Sequence, residues 1–362
     1  MKYYSPTKIN RKEATYNIIF GERSNGKTYS LLLQAVKGYV KDKSQLAYVR
    51  RWKEDITGRR AQRLFSGINE NGEVTKATKG LFTGVHYWAG KFYLCTYDES
   101  GKAIYSDADI MGYVFALSDG EHDKSTSFPA IKTIVFDEFL TNRTYLVDEF
   151  VLFMNVVSTI VRRREDVKVY MLGNTVNKFA PYFTEMGLEH IQKMNQGTID
   201  VYKYGDSKLT VAVEYCAAAN KEDNKEANKY FAFNNPKLEM ITGGAWELNI
   251  YPHIPFKYKP SDILLTYFIE FNDNVYQCEI IEVNGVVFTY IHIKTTPIRK
   301  SEDNIIYSLD YRAEPNYNRS IYKPTSKIQE RILYFFKTDR VFFQNNNVGD
   351  AVHNFLKICK KG

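Results

Sequence analysis

The chain contains, without a gap, Gly21-Glu22-Arg23-Ser24-Asn25-Gly26-Lys27-Thr28, which fits the pattern G-x-x-x-x-G-K-S/T. Residues 16–20 before it form an apolar run that predicts a buried strand, and residues 27–40 carry apolar side chains at helical spacing. The glycines permit backbone angles that point successive N–H groups inward, so this strand, loop and helix form a cradle for phosphates. We therefore predict that residues 21–28 bind Mg·ATP, with Lys27 on the β- and γ-phosphates and the Thr28 hydroxyl on Mg²⁺.

A second apolar segment, residues 131–136, ends in the acidic pair Asp137 and Glu138. We predict that Asp137 holds Mg²⁺ through its water shell and that Glu138 orients and activates the attacking water. Most P-loop kinases and GTPases lack the second acid, so the pair indicates ATP hydrolysis and an extra strand between the two motifs. The alternative is a surface acidic pair after a buried strand. Residues 167–172 predict another strand, and Asn174 after it is a candidate γ-phosphate sensor or simply a turn residue.

Strands that alternate with helices predict a parallel α/β sheet with helices on both faces, a P-loop NTPase of the ASCE type, in residues 1–217. Residues 80–117 predict β-hairpins inserted between core strands, and residues 144–159 a helix. Residues 218–258, polar and then rich in proline, predict a linker. Residues 259–362 predict a smaller α+β domain, with strands at 264–271, 275–283 and 286–293 and helices at 326–336 and 351–357.

The composition excludes several classes of protein. Hydrophobic residues make up 44% of the 362, and no apolar run is long enough to span a bilayer, so we expect a soluble protein. The first residues show no secretory signal, which leads us to expect the cytoplasm. The four cysteines lie far apart, without Cys-x-x-Cys, and so indicate neither a zinc site nor a disulfide framework.

Basic residues are concentrated near the N-terminus, where residues 1–64 hold fifteen Lys and Arg against five Asp and Glu. Such a patch favours a polyanionic partner. The candidate contacts with DNA phosphates are Arg51, Lys53, Arg59, Arg60 and Arg63. Solvated surface charge is the alternative for each of them.

A later basic run, Arg162-Arg163-Arg164-Glu165, lies between the predicted helix and the strand that precedes Asn174. An arginine there would stabilise the transferred phosphoryl group of a neighbouring subunit, as an arginine finger. Lys124, in the loop before the strand of Asp137, is a second candidate for reaching an adjacent ATP. A solvated or DNA-facing basic run is the alternative.

In this order, the motifs resemble the DNA-encapsidation ATPases of phi twenty-nine-like small podoviruses, which are related to large terminases. The resemblance covers most of residues 15–180. It depends on residues 21–28, 49–53, 112–118, 124–126, 133–139 and 161–165, and above all on Thr-Ile-Val-Phe-Asp-Glu-Phe joined to a later Val-Arg-Arg-Arg-Glu.

The resemblance implies a ring-forming motor, typically a homopentamer, that docks on the portal of an empty capsid and pumps in double-stranded DNA with its terminal protein. It implies that Arg162 acts on the neighbouring subunit, with Lys124 as an assistant. It also implies work at the portal vertex in the host cytoplasm and absence from the mature virion. A packaging RNA joins the motor in some members.

Terminases carry a C-terminal RNase H-like nuclease, and the strands from residue 264 onward fit that fold. Its metal site would have to use Glu270, Asp310 and Asp350. We expect no nuclease activity, because a motor that loads unit-length genomes has no cut to make. Two alternatives stay open: a terminase with an active nuclease, and a helicase or plasmid-partition ATPase.

Overall fold

The computed structural model describes residues 4–119, 126–141, 145–175, 180–217, 251–272, 274–299 and 301–359. The chain divides into two compact units, residues 1–247 and 248–362. Most of the predicted linker, residues 218–250, lies outside the described residues. Within the described ranges, no helix is both long and apolar enough to cross a lipid bilayer.

The N-terminal unit contains strands of five to seven residues, apart from one two-residue strand. They are β1 Tyr16–Gly21, β2 Gln45–Arg50, β3 Gly84–Trp88, β4 Lys91–Tyr97, β5 Ala103–Ile104, β6 Ile110–Ala116, β7 Ile131–Asp137, β8 Lys168–Asn174, β9 Ile199–Lys203 and β10 Thr210–Tyr215. Its helices are α1 Thr7–Asn10, α2 Lys27–Asp42, α3 Gly58–Arg63, α4 Ser66–Glu70, α5 Glu73–Ala77, α6 Glu149–Val161 and α7 Pro181–Glu185.

These strands form one sheet in the order β3-β4-β6-β2-β7-β8-β1-β10-β9, with β5 paired to β4. The six strands from β6 to β10 in this order are parallel to one another, and antiparallel strands flank them at both edges. Strand β8 lies between β1 and β7, which confirms the predicted extra strand between the two motifs.

Residues 80–117 were predicted to be an insertion between core strands, and the structure corrects this prediction. Strand β6 is parallel to β2 and belongs to the core sheet, and the β3–β4 hairpin extends that sheet at its edge. Helix α6 also begins at Glu149, later than predicted. The Glu149 carboxylate accepts a hydrogen bond from the N–H of Leu146 at 2.7 Å, an N-terminal contact that hydrophobic spacing does not reveal.

Apolar cores lie on both faces of the sheet, because side chains alternate along each buried strand. In β1, Ile18 and Phe20 join the core that contains the apolar side of α6, whereas Ile19 joins the core beneath α2. All six residues of β1 are buried. Helices therefore cover both faces, as the α/β interpretation predicted.

Over the residues that the structure describes, the C-terminal unit consists of a second, smaller sheet and two α-helices. Its elements are β11 Ile263–Phe271, β12 Asn274–Val283, β13 Val286–Lys294, β14 Ile306–Ser308, β15 Tyr317–Asn318, β16 Val341–Phe343, α8 Lys327–Lys337 and α9 Asn346–Cys359. The sheet order is β15-β14-β11-β12-β13-β16, and β11, β12 and β13 are antiparallel neighbours. Strand β14 is parallel to β11, and β15 to β14, so the sheet read from β13 to β15 contains the first five strands of this unit in the order 3-2-1-4-5.

Arg51 follows β2 and is buried, which corrects its prediction as a DNA contact. Its Nε and Nη2 donate to the two carboxylate oxygens of Glu149 at 2.7 and 2.8 Å, and Nη2 also donates to the carbonyl oxygen of Phe139 at 2.7 Å. The Glu149 carboxylate also accepts a hydrogen bond from Tyr182 at 2.8 Å. A guanidinium bound on several sides within the protein ties β2 to α6 and is not available to a phosphate.

We predict that Arg51→Ala lowers the free energy of unfolding by about 3–5 kcal/mol, because it leaves the Glu149 carboxylate buried without its cation. The measurement is urea unfolding followed by circular dichroism. Lys53→Ala is the matched control, since it removes an exposed ion pair with Asp119 (2.6 Å) and should change stability little. Equal destabilisation of the two variants would contradict the structural role of Arg51.

Candidate nucleotide site

Two glycines allow the loop between β1 and α2 to take its shape. Gly21 has φ +154°, and a Cβ there would lie 2.9 Å from the Cβ of Cys216 on the neighbouring chain segment. Gly26, at the N-terminus of α2, has φ +87°. Both φ angles favour glycine, so the backbone of the loop explains why glycine occupies these two positions.

Lys27 is held inside this loop. Its Nζ donates to the carbonyl oxygen of Glu22 at 2.6 Å and to the side-chain oxygens of Asn25 at 3.1 Å and Asn174 at 3.4 Å. The side chain is 6% exposed. Burial lowers the pKa of Lys27, while the Asp137 and Glu22 carboxylates act in the opposite direction. An anionic ligand near Nζ would favour the charged amine.

Asp137, at the end of β7, faces the start of α2. Its Oδ2 accepts hydrogen bonds from the Thr28 hydroxyl at 3.0 Å and from the Tyr48 hydroxyl at 2.8 Å, and its Oδ1 accepts from the N–H of Glu138 at 3.0 Å. A hydroxyl and a carboxylate side by side are hard oxygen ligands, which suit Mg²⁺. This donor set therefore fits the implied metal, since Mg²⁺ commonly binds through one or two protein oxygens, phosphates and water.

Glu138 leaves the strand with φ +57° and has a side chain that is 58% exposed. Its Oε2 lies 2.6 Å from Nη2 of Arg50 at the end of β2. The second acid is therefore at the cavity, where a water-activating group is needed, but its carboxylate is engaged by a cation.

These side chains line a cavity of about 450 Å³. Its lining residues are Arg23, Ser24, Asn25, Gly26, Lys27, Thr28, Tyr29, Asp137, Glu138, Gly173 and Asn174. Asn174 ends β8 and lies beside Gly21 in the sheet register. Most of the predicted nucleotide residues, together with the predicted sensor, thus border one space.

Sequence reasoning did not find Tyr48 and Arg50. Both are on β2, which is adjacent to β7, and their two-residue spacing puts them on the same face of the sheet. Tyr48 contacts Asp137, and Arg50 contacts Glu138. The alternation along β2 could have identified them only if β2 had been predicted as the neighbour of β7.

The remaining predicted DNA contacts are exposed and mostly on α3. Arg59, Arg60 and Arg63 are on this helix, and Lys53 precedes it. Arg60 pairs with Asp55 at 3.1 Å, and Lys53 with Asp119 at 2.6 Å. A second cavity, about 320 Å³, is lined in part by Arg50, Arg60 and Arg63. Because Arg50 also contacts Glu138, Arg60 and Arg63 line a space next to the acidic pair of Asp137 and Glu138.

The three consecutive arginines, Arg162 to Arg164, follow the C-terminal end of α6. Arg162 is exposed and donates to the carbonyl oxygen of Thr126 at 2.8 Å, whereas Arg164 is partly buried against main-chain carbonyls. Neither lines the nucleotide cavity of its own chain. The predicted assistant Lys124 lies outside the described residues.

The three candidate nuclease carboxylates lie on or after different elements of the C-terminal unit. Glu270 is on β11 and accepts from the Tyr317 hydroxyl at 3.3 Å, Asp350 is buried on α9, and Asp310 is exposed after β14. Across the described ranges, no group of three or more His, Cys, Asp or Glu side chains is arranged to hold a metal ion. These carboxylates therefore form no such cluster.

Two solved structures have a similar fold over nearly the whole chain. "The bacteriophage Phi-29 viral genome packaging motor assembly" has a TM-score of 0.60 at 19% identity and covers 100% of this chain and 99% of that chain. "The Phi-28 gp11 DNA packaging Motor" has a TM-score of 0.55 at 18% identity and covers 99% and 97%. At these identities the likeness establishes the fold alone.

Sequence relatives match about half of the chain. The DNA packaging proteins of Bacillus phages phi29 and PZA are each 27% identical to it over 184 residues, which is 50% of this chain and 49% of each relative. The chain thus spans about half the length of the curated relatives it matches. The family model of the podovirus DNA encapsidation protein (Gp16) matches residues 1–203, more than half of the chain, which therefore belongs to that family.

Proposed function

We propose that this chain is a subunit of an ATP-driven motor that moves double-stranded DNA into an empty viral capsid. The observation that carries the proposal is the 3.0 Å contact between Thr28 and Asp137 in the cavity that Lys27 lines. This contact joins the phosphate-binding loop of residues 21–28 to the acidic pair of Asp137 and Glu138. The chain also belongs to the encapsidation family. The relatives from phages phi29 and PZA are named as DNA packaging proteins.

The loop residues have the chemistry to bind ATP. Backbone N–H groups at the start of α2 favour phosphate oxygens, and the Lys27 ammonium supplies a charge for the β- and γ-phosphates. The Thr28 hydroxyl and the Asp137 carboxylate would hold Mg²⁺, Asp137 through its water shell. Bound there, Mg²⁺ would neutralise developing charge on the phosphate oxygens.

Hydrolysis is assigned to Glu138. Its carboxylate would accept a proton from the attacking water as the water oxygen bonds to the γ-phosphorus and the bond from that phosphorus to the bridging oxygen breaks, which releases ADP and phosphate. Because Oε2 lies 2.6 Å from Arg50, this ion pair has to open before the carboxylate can turn to the water. Asn174, within 3.4 Å of Lys27, would then respond to the loss of the γ-phosphate.

We assign the coupling of ATP hydrolysis to DNA movement to a homo-oligomeric ring, taken to be a pentamer. This ring would act at the portal of the procapsid in the host cytoplasm. The exposed arginines of α3 would contact the DNA backbone, and Arg162 would enter the site of the neighbouring subunit. The ring is absent from the mature virion, and a packaging RNA is a further candidate partner.

The two rival functions have less support. A terminase nuclease needs clustered carboxylates, and the described residues contain no such metal-binding group. A helicase or partition ATPase would share the nucleotide site but not membership of the encapsidation family.

We predict that Lys27→Ala abolishes ATP binding, because it removes the charge next to the phosphates. Glu138→Gln should keep ATP binding and lower the hydrolysis rate by about 10²–10⁴-fold, because glutamine cannot accept the proton. Fluorescent-nucleotide binding and phosphate release measure the two effects. Neither variant should protect DNA from nuclease in a packaging assay with portal-bearing capsids, whereas the wild-type chain should. Near wild-type turnover by Glu138→Gln would contradict the assignment of the water-activating residue.

DNA binding should weaken steeply as salt rises and show little sequence preference, because phosphate contacts dominate it. Charge reversal of Arg59 and Arg60 together should flatten the slope of log K against log salt by about 0.9 for each phosphate that is no longer neutralised. The matched control reverses Lys37 and Lys41, two exposed lysines on α2. If the α3 variant keeps the wild-type slope while the control changes it, the DNA path lies elsewhere.

Arg162 should act between subunits. Arg162→Ala should keep ATP binding but lose hydrolysis by roughly 10³–10⁵-fold, the usual effect of a missing arginine finger. Mixed rings of Arg162→Ala and Lys27→Ala should regain part of the activity, because some interfaces pair an intact Lys27 with an intact Arg162. Phosphate release from rings assembled on portal-bearing capsids measures this. Lack of recovery in confirmed mixed rings would place the arginine's action within its own chain.

A further inference from the structure

The guanidinium group of Arg164 is surrounded by main-chain oxygens. It donates to four carbonyl oxygens at 2.8 to 3.3 Å, those of Phe128, Pro129, Ile131 and Ile160. Its one described carboxylate contact, with Asp166, is longer, at 3.5 Å. Arg164 therefore joins the last turn of α6 to the segment of residues 126–131. A planar group with five donors can make these contacts together, whereas lysine has three donors at one point.

The residues just before Arg164 have an unusual backbone. Arg162 and Arg163 have φ +40° and +70°, both in the left-handed region that side chains with a Cβ disfavour. The N–H of Arg162 bonds to the carbonyl of Ser158 at 3.2 Å, and that of Arg164 to Val161 at 2.9 Å. Such a conformation persists where surrounding contacts impose it, and it is common at functional sites. The Arg164 side chain, which directly follows these two residues, supplies contacts of this kind.

Arg162 contacts the same segment, since its Nη2 donates to the carbonyl of Thr126 at 2.8 Å. The two arginines thus bind the segment of residues 126–131 from one helix end. The segment is itself held to the sheet, since Phe128 packs on Phe115 and the Ala130 carbonyl accepts from the N–H of Gln45 at 2.7 Å. Arg164 therefore fixes the helix end that carries Arg162 against a segment that is anchored in the sheet.

We propose that Arg164 is a positioning residue that holds Arg162 where it can enter the neighbouring subunit's nucleotide site. This inference rests on the proposed trans action of Arg162. Arg164 and its four carbonyl partners do not line the cavity of their own chain. Loss of Arg164 should therefore disable a subunit as a donor of Arg162 and leave its own nucleotide site intact.

The test uses Arg164→Lys and Arg164→Gln in full-length chains assembled on portal-bearing capsids. Each homogeneous ring should bind ATP as the wild type does and hydrolyse it about 10²-fold more slowly, the size of effect that a small misplacement of a catalytic group produces. The matched control is Lys208→Gln, which removes an exposed contact with Glu165 (3.7 Å) in the same region and should keep wild-type turnover.

Mixed rings separate positioning from general stability. Arg164→Lys mixed with Lys27→Ala should regain as much activity as Arg162→Ala mixed with Lys27→Ala, because the Lys27→Ala subunits donate a correctly placed Arg162. Arg164→Lys mixed with Arg162→Ala should regain none, because no subunit in that ring donates a placed arginine.

Each other outcome overturns a defined statement. If both Arg164 variants lose ATP binding, Arg164 supports the whole unit and the positioning role is wrong. Wild-type turnover by both variants also overturns it. If the reference mixture of Arg162→Ala and Lys27→Ala does not regain ATPase activity, the proposed trans action of Arg162 is wrong. If that reference regains activity but the mixture of Arg164→Lys and Lys27→Ala does not, only the positioning role of Arg164 is wrong.

Discussion

The site depends on the carboxylate of Asp137. It is the point where three elements of the N-terminal unit meet: the hydroxyl of Thr28 comes from α2, the hydroxyl of Tyr48 from β2, and the carboxylate itself from β7. Strand β8 separates β1 from β7, so this contact spans two strand positions of the sheet. Three hydrogen bonds fix the direction of this carboxylate. The loop of residues 21–28 and the acidic pair of Asp137 and Glu138 therefore keep one mutual geometry.

Sequence reasoning succeeded where a local pattern has one structural solution. The strand, loop and helix around residues 21–28 were predicted closely, because glycine spacing and hydrophobic period act over a few residues. The strand before Asp137 was equally clear, since a short apolar run that ends in two acids is compatible with few other arrangements. The three antiparallel strands of the C-terminal unit were predicted from their turns and confirmed within one or two residues.

The predictions that were wrong or missing concern contacts between residues that are far apart in the sequence. Arg51 belongs to a basic stretch, and nothing local distinguishes a buried guanidinium from an exposed one until Glu149 is placed 98 positions later beside it. The pairing of β6 with β2 was missed for a similar reason, because a strand inside a hairpin-rich segment carries no local mark of parallel pairing. The contact of Arg50 with Glu138 likewise requires the sheet order.

The end of β2 connects Glu138 to α6, the helix that Arg162 follows. Side chains alternate across the sheet, so Arg50 lies on the side of Tyr48 and meets Glu138, while Arg51 lies on the opposite side and meets Glu149 at the start of α6. Helix α6 is held in the core along its length and spans thirteen residues, or roughly 20 Å. On the proposed function, the buried Arg51–Glu149 ion pair and the packed helix α6 thus lie between Asp137 and Glu138 of one subunit and the arginine that it offers to its neighbour.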